Sequence, residues 1–91
     1  MKDKYTNTAK MLKALSDPKR LKIIDMLSRG ELCACVILEE FHITQPTLSH
    51  DMKVLVESEL VNDRRVGKNI YYSIDKDAYI ELSESLRSVF E

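Results

Sequence analysis

Cys33 and Cys35 stand one residue apart in the segment ELCACVILEE, and the chain has no other cysteine. Thiolates are soft ligands, so a pair this close is a candidate site for As(III), Sb(III), Cd(II), Pb(II) or Cu(I) rather than Mg(II) or Ca(II). As(III) accepts a three-coordinate pyramidal geometry, which leaves one position for hydroxide, a cellular thiol or another side chain. His42 is the nearest imidazole. From spacing alone two other uses stay open: free cysteine packs as a small hydrophobe, and two thiols can serve as a redox pair. A disulfide here would close a tiny loop and constrain little, and in a reducing compartment the pair is expected as thiols. On an ideal helix, residues two apart point about 200° from each other. Both sulfurs then cannot reach one ion while the helix is regular, so binding is expected to distort or unwind the start of the third helix and to move Gln45 to Lys53.

A second chemistry-bearing stretch, TQPTLSHDMK, begins at Thr44. With Leu48, Met52 and Leu55 turned inward, the outward side carries Gln45, Thr47, Ser49, His50 and Lys53. Gln can bond adenine bidentately, Ser and Thr can bond bases or phosphates, and His and Lys can donate to guanine or phosphate. The free N–H groups at Thr44 and Gln45 add phosphate donors. Downstream, Arg64, Arg65 and Lys68 cluster around a Gly-Lys-Asn turn, suited to backbone or minor-groove contacts. Asp51 and Asp63 are expected near the same surface, where their repulsion of phosphate favours two copies binding together.

The elements that must position these groups follow from periodicity and punctuation. Tyr5, Ala9, Leu12 and Leu15 recur at helical spacing over Lys4 to Leu15. Asp17 and Pro18 form the cap and first position of a second helix, with Leu21, Ile24 and Leu27 on one face and Gly30 at its end. A third, short helix is predicted from Cys33 or Ala34 to Phe41, with Val36 and Ile37 or Leu38 inward. Thr44 caps the next helix, and the brief link near His42 and Ile43 makes the two a helix-turn-helix. Val61 and Ile70 to Ile74 flank the turn as a two-stranded hairpin. A last helix runs from about Asp75 to Phe90, with Tyr79, Leu82, Leu86 and Val89 as its stripe. The expected fold is mainly α with a small β-hairpin: one winged helix-turn-helix domain over residues 1–91, its flanking terminal helices forming a dimer interface.

Composition agrees with a DNA partner only when read by segment. The net charge is −1, yet residues 1–29 carry +5, residues 30–43 −3, residues 44–74 zero and residues 75–91 −3. A basic face is compatible with the total. A chain of this length buries only about 60 to 65 % of its unfolded surface, so pairing with a second copy helps. A symmetric dimer would set two recognition helices roughly 34–36 Å apart on palindromic double-stranded DNA. The longest apolar run, Leu32 to Leu38, is too short for a bilayer, and MKDKYTNTAK lacks the apolar stretch of a signal peptide, so a cytoplasmic location is expected.

In order and spacing, LKALSDPKRLKIIDML, ELCAC, TQPTLSHDMKVLVESELV and DRRVGKNIYYSI resemble the ArsR/SmtB group of metal-responsive repressors over roughly residues 8 to 75. The resemblance implies a dimeric winged-helix repressor that leaves its operator when an effector binds. It also implies that the cysteines of a Glu-Leu-Cys-x-Cys segment, here Cys33 and Cys35, are thiolate ligands, with As(III) or Sb(III) as effector and Cd(II) or Pb(II) as further candidates. Where many arsenic sensors carry a third cysteine this chain has Leu38, and many members carry an acid where it has Val36. Its last helix lacks the histidines of zinc-sensing members. The competing readings are a winged-helix regulator with a non-metal or redox effector, and a thiol protein that carries metal. No phosphate loop or nucleophile-base-acid set points to an enzyme.

Overall fold

The computed structural model describes residues 3–91. Helix α1 (Lys4–Leu15) starts at Asp3, whose carboxylate accepts from the Thr6 amide at 2.8 Å. Helix α2 (Pro18–Leu27) starts at Asp17, which accepts from the Arg20 amide at 3.1 Å, with Pro18 where no amide is needed. A two-residue strand β1 (Leu32–Cys33) leads into α3 (Ala34–Glu39), and α4 (Gln45–Glu57) follows behind a Thr44 cap. Ser58 ends α4, and Glu59 takes the left-handed conformation, φ 72°, that turns the chain into β2 (Val61–Val66). Strand β3 (Asn69–Ile74) and helix α5 (Lys76–Phe90) complete the order.

The fold is mainly helical with a winged helix-turn-helix arrangement, but its sheet has three strands where two were expected. β1 pairs with β3 through Leu32↔Tyr72 and Cys33↔Tyr71, giving the antiparallel order β1-β3-β2. Strands β2 and β3 join through Gly67 and Lys68. Gly67 has φ 61° at the first turn position, the conformation that fits the twist of a tight hairpin.

Met11, Ile23, Ile37, Met52, Leu55 and Val61 lie at the centre of one core that draws on every helix but α5 alone at its deepest level; Ala78 and Leu82 attach α5 to it. Several inward faces differ from the sequence expectation by rotation. In α1 the buried residues are Thr8, Met11 and Ala14, while Tyr5 and Leu12 face out. In α2, Ile23 is buried and Leu21 is exposed. Lys19 and Arg20, immediately before Leu21, reach toward α4, and this orientation carries Leu21 outward. In α3, Ile37 is buried and Val36 exposed; in α5, Ala78 replaces Tyr79 on the inner face and Val89 points out. Each of these helices has apolar residues on two faces, so its spacing alone fits more than one phase. α1 and α5 lie side by side in opposite directions, joined by Lys4 Nζ to Ser88 Oγ at 2.6 Å and Asn7 Nδ2 to Glu81 Oε1 at 2.8 Å.

Candidate nucleic-acid interface and thiol pair

Helix α4 turns Leu48, Met52 and Leu55 into the core and leaves Gln45, Thr47, Ser49, His50 and Lys53 exposed. Thr44, also exposed, accepts from the Thr47 amide at 3.3 Å, and the two hydroxyls lie 2.9 Å apart. Those contacts fix the first turn of the helix and hold both hydroxyls at its outer end. Pro46 lies in that first turn, where a missing amide removes no intrahelical bond.

Asp51 is not on this surface. It is buried, with Lys19 Nζ 2.6 Å from Oδ2 and Arg20 Nη1 3.0 Å from Oδ1. Arg20 Nε also donates to the Ala14 carbonyl at 2.6 Å, so one arginine ties α1, α2 and α4 together. The expected repulsion between Asp51 and phosphate therefore does not arise, because two cations already neutralise it. Asp63 does stay exposed, across the strand pair from Tyr72. Burial pushes the Tyr72 hydroxyl above its usual range, and the Asp63 charge adds to that.

Arg64, Arg65 and Lys68 are all exposed on the hairpin, but they are not equivalent. Arg64 donates from Nε and Nη2 to the Glu31 carboxylate at 3.1 and 2.7 Å, and its guanidinium lies 5.0 Å from the Tyr71 ring centre. Those hydrogen bonds hold the Glu31 carboxyl below the usual carboxylate range. Arg65 and Lys68 have no ion-pair partner among the described residues.

The thiol segment differs from expectation in two ways. Cys33 lies outside the helix: it ends β1 and caps α3 with ψ 143°, and its sulfur accepts from the Cys35 amide at 3.3 Å. Because only Cys35 is helical, the 200° divergence of a regular helix does not apply. The sulfurs converge without unwinding α3. Second, the two sulfurs stand against each other rather than apart, with Cα atoms 5.2 Å apart. Cys35 is exposed and Cys33 half-buried, which does not suit a purely packing role. As thiols, the pair offers two convergent sulfurs, a donor set that fits a thiophilic ion. Among the described residues no group of three His, Cys, Asp or Glu side chains forms a metal cluster, so His42 does not complete one.

Cys33 and Cys35 open onto a cleft of about 210 Å³ that Gln45 and Ser49 of α4 border on one side and Lys68 and Asn69 of the hairpin on another. The thiols, the start of the second helix of the helix-turn-helix and the wing thus share one space.

Residues 17–63 match the family described as bacterial regulatory protein, arsR family. The chain belongs to that family. The matched span runs from the α2 cap to the exposed acid of β2 and includes the cysteine pair and all of α4. An arsenical resistance operon repressor of Staphylococcus xylosus is 48% identical over 82 residues, 90% of this chain and 79% of that protein. A cadmium resistance transcriptional regulatory protein homolog of Staphylococcus aureus is 38% identical over 79 residues, covering 86% of this chain and 65% of that one. A homodimeric winged helix-turn-helix DNA-binding domain of Mycobacterium bovis superposes with a TM-score of 0.76 at 29% identity, over 92% of this chain and 80% of its own. As an arsR-family member the protein is a DNA-binding transcription regulator and not an enzyme, and effectors of such regulators include metals.

Three features of this arsR-family chain escape sequence reasoning. The Asp51 lock had a visible signal, since residue 51 follows Leu48 by three and precedes Leu55 by four, on the apolar stripe itself. The third strand and the Glu31–Arg64 pair had none, because both depend on partners some forty and thirty residues away.

Proposed function

We infer that this protein is a dimeric cytoplasmic repressor, a single winged-helix unit over its 91 residues, released from a palindromic operator by a thiophilic ion. The effector is As(III) or Sb(III), with Cd(II) and Pb(II) as further candidates, bound by reduced Cys33 and Cys35. Operator contacts come from Thr44, Gln45, Thr47, Ser49, His50 and Lys53 on α4 and from Arg64, Arg65 and Lys68 on the wing. The single observation that carries this reading is the shared cleft, which brings the cysteines to the two elements suited to DNA. The names of the staphylococcal relatives support the arsenic and cadmium assignment.

Cd(II) or Pb(II) would displace the two thiol protons, so affinity for those ions falls in acid; arsenous acid would instead exchange two hydroxyls for the two sulfurs, the thiol protons leaving in two waters, and an oxidised pair would bind neither. Reduced Cys33 and Cys35 would hold the ion between the end of β1 and the first turn of α3, in the cleft that Gln45, Ser49 and Lys68 border, where α4 and the wing must fit the groove. Ion and operator then favour different arrangements, and each weakens the other by the same factor.

The test is operator binding by the reduced protein, on DNA from upstream of its own gene, with As(III), Sb(III), Cd(II), Pb(II), Zn(II) and peroxide. Wild type is compared with Cys33→Ser, Cys35→Ser. Arsenite should weaken wild-type binding about 5- to 150-fold, a coupling of about 1–3 kcal/mol, and leave the double variant bound. Equal release of the double variant would move the sensor elsewhere.

A further inference from the structure

The Glu31–Arg64 pair is not needed by the function proposed above, yet it joins the two regions that function must couple. Arg64 lies directly opposite Tyr71 in the β2–β3 ladder, and Cys33 lies opposite Tyr71 in the β1–β3 ladder. Residues directly opposite in antiparallel strands share a face, as do residues two apart. Glu31 lies immediately before β1, and its carboxylate accepts from the Arg64 guanidinium, which stands 5.0 Å from the Tyr71 ring centre. One end of the bridge is the thiol segment. The other is the strand that leads to the wing tip.

Both partners are substantially exposed, so the contact adds little to stability. Its consequence is for Arg64. The planar fork of arginine matches carboxylate and phosphate alike, two parallel N–H groups to two oxygens. Glu31 occupies that fork at 2.7 and 3.1 Å, and its negative charge stands where a phosphate would have to approach. Arg65 and Lys68 carry no such partner among the described residues.

The geometry points to Glu31 as the residue that withholds Arg64 from DNA: carboxylate and operator phosphate compete for one guanidinium, and occupancy of the thiol pair biases the competition. The second half rests on the effector reading above. An ion that ties Cys33 to Cys35 fixes the segment on which Glu31 sits, and so favours the closed Glu31–Arg64 pair. In the wild-type operator complex the pair opens only in part, and an ion that favours the closed pair removes that remaining Arg64 contact. Glu31 is a positioning residue, acting through Arg64 and touching neither ion nor DNA.

Operator affinity of the reduced full chain, measured between about 50 and 200 mM salt, separates this role from a structural one. Glu31→Gln should bind several-fold tighter, and the slope of log affinity against log salt should steepen by about 0.9 per freed arginine, about 1.8 for a dimer. Arg64→Gln should cost less than about twofold in the wild type but cancel the whole gain in the Glu31→Gln background, the non-additivity that marks a coupled pair. Glu31→Gln with unchanged affinity and slope, or with weaker binding, overturns the proposal. For the second half, arsenite should release Glu31→Gln less than wild type while titrating its thiols equally. A steeper slope with undiminished release overturns that coupling. If arsenite fails to release even the wild type, the effector reading falls, and the salt slope still decides the role of Glu31.

Discussion

Asp51 is a carboxylate on the inner face of the helix whose outer face we propose for DNA, and its two cations decide what it does. A buried charge is tolerated when it is paired and hydrogen-bonded, but removing one partner leaves the rest of the cluster uncompensated. Lys19 and Arg20 keep some access to water, with side chains 27% and 17% exposed. The loss on Asp51→Ala is therefore expected at the low end of the usual range, about 3 kcal/mol, read as a lower midpoint in urea unfolding. Operator affinity should fall as well, since Arg20 also holds the Ala14 carbonyl and fixes the angle at which α4 stands on α1 and α2. Asp51→Asn keeps an acceptor for Arg20 and should lose less of both. An unchanged unfolding midpoint in Asp51→Ala would remove the lock from the account of how α4 is positioned.

At the scale of elements, the proposed reading divides the work of binding between α4 and the wing, and their variants should fail differently. Arg65→Ala with Lys68→Ala removes phosphate contacts, so binding should weaken evenly across DNA sequences and the salt slope should become shallower by about 0.9 per contact. Gln45→Ala should instead relax preference at one base position, by about 1–3 kcal/mol, with the slope unchanged. Fluorescence anisotropy on operator and scrambled DNA over a salt series distinguishes the two. The same elements show what was legible in the sequence. α2 and α4 could be read because Asp17-Pro18 and Thr44-Gln45-Pro46 act locally, each cap bonding an amide three residues on. The hairpin could be read because Gly67 marks its turn. β1 could not, since two residues carry no alternation and their strand character comes from β3. That omission mattered for the candidate site: placing Cys33 in a strand rather than a helix is what lets the two sulfurs converge.

For the whole molecule, the question is what covers the outer faces of α1 and α5. Tyr5 and Leu12 share one face of α1, and Tyr79 and Phe90 share one face of α5; all four are exposed, on two antiparallel helices that the chain's own core does not enclose. The helical spacing of α1 and α5 was legible, but not which of two apolar faces turns inward, because a second copy can take up whichever face the core leaves free. A dimer through this surface explains both the exposed stripe and the small core. It also makes operator affinity depend on two linked half-site contacts, and linkage of that kind multiplies affinity by about 10² to 10⁴ without any new contact in either half. Tyr79→Glu with Phe90→Glu should then yield a monomer in sedimentation equilibrium. Both positions are exposed in the single chain, so its circular dichroism and unfolding should stay helical and cooperative. Operator affinity should drop by about that same 10² to 10⁴, while the thiols still titrate with arsenite. A variant that remains dimeric, or a monomer that binds the full operator as tightly as wild type, would show that the two reading heads are joined through some other face.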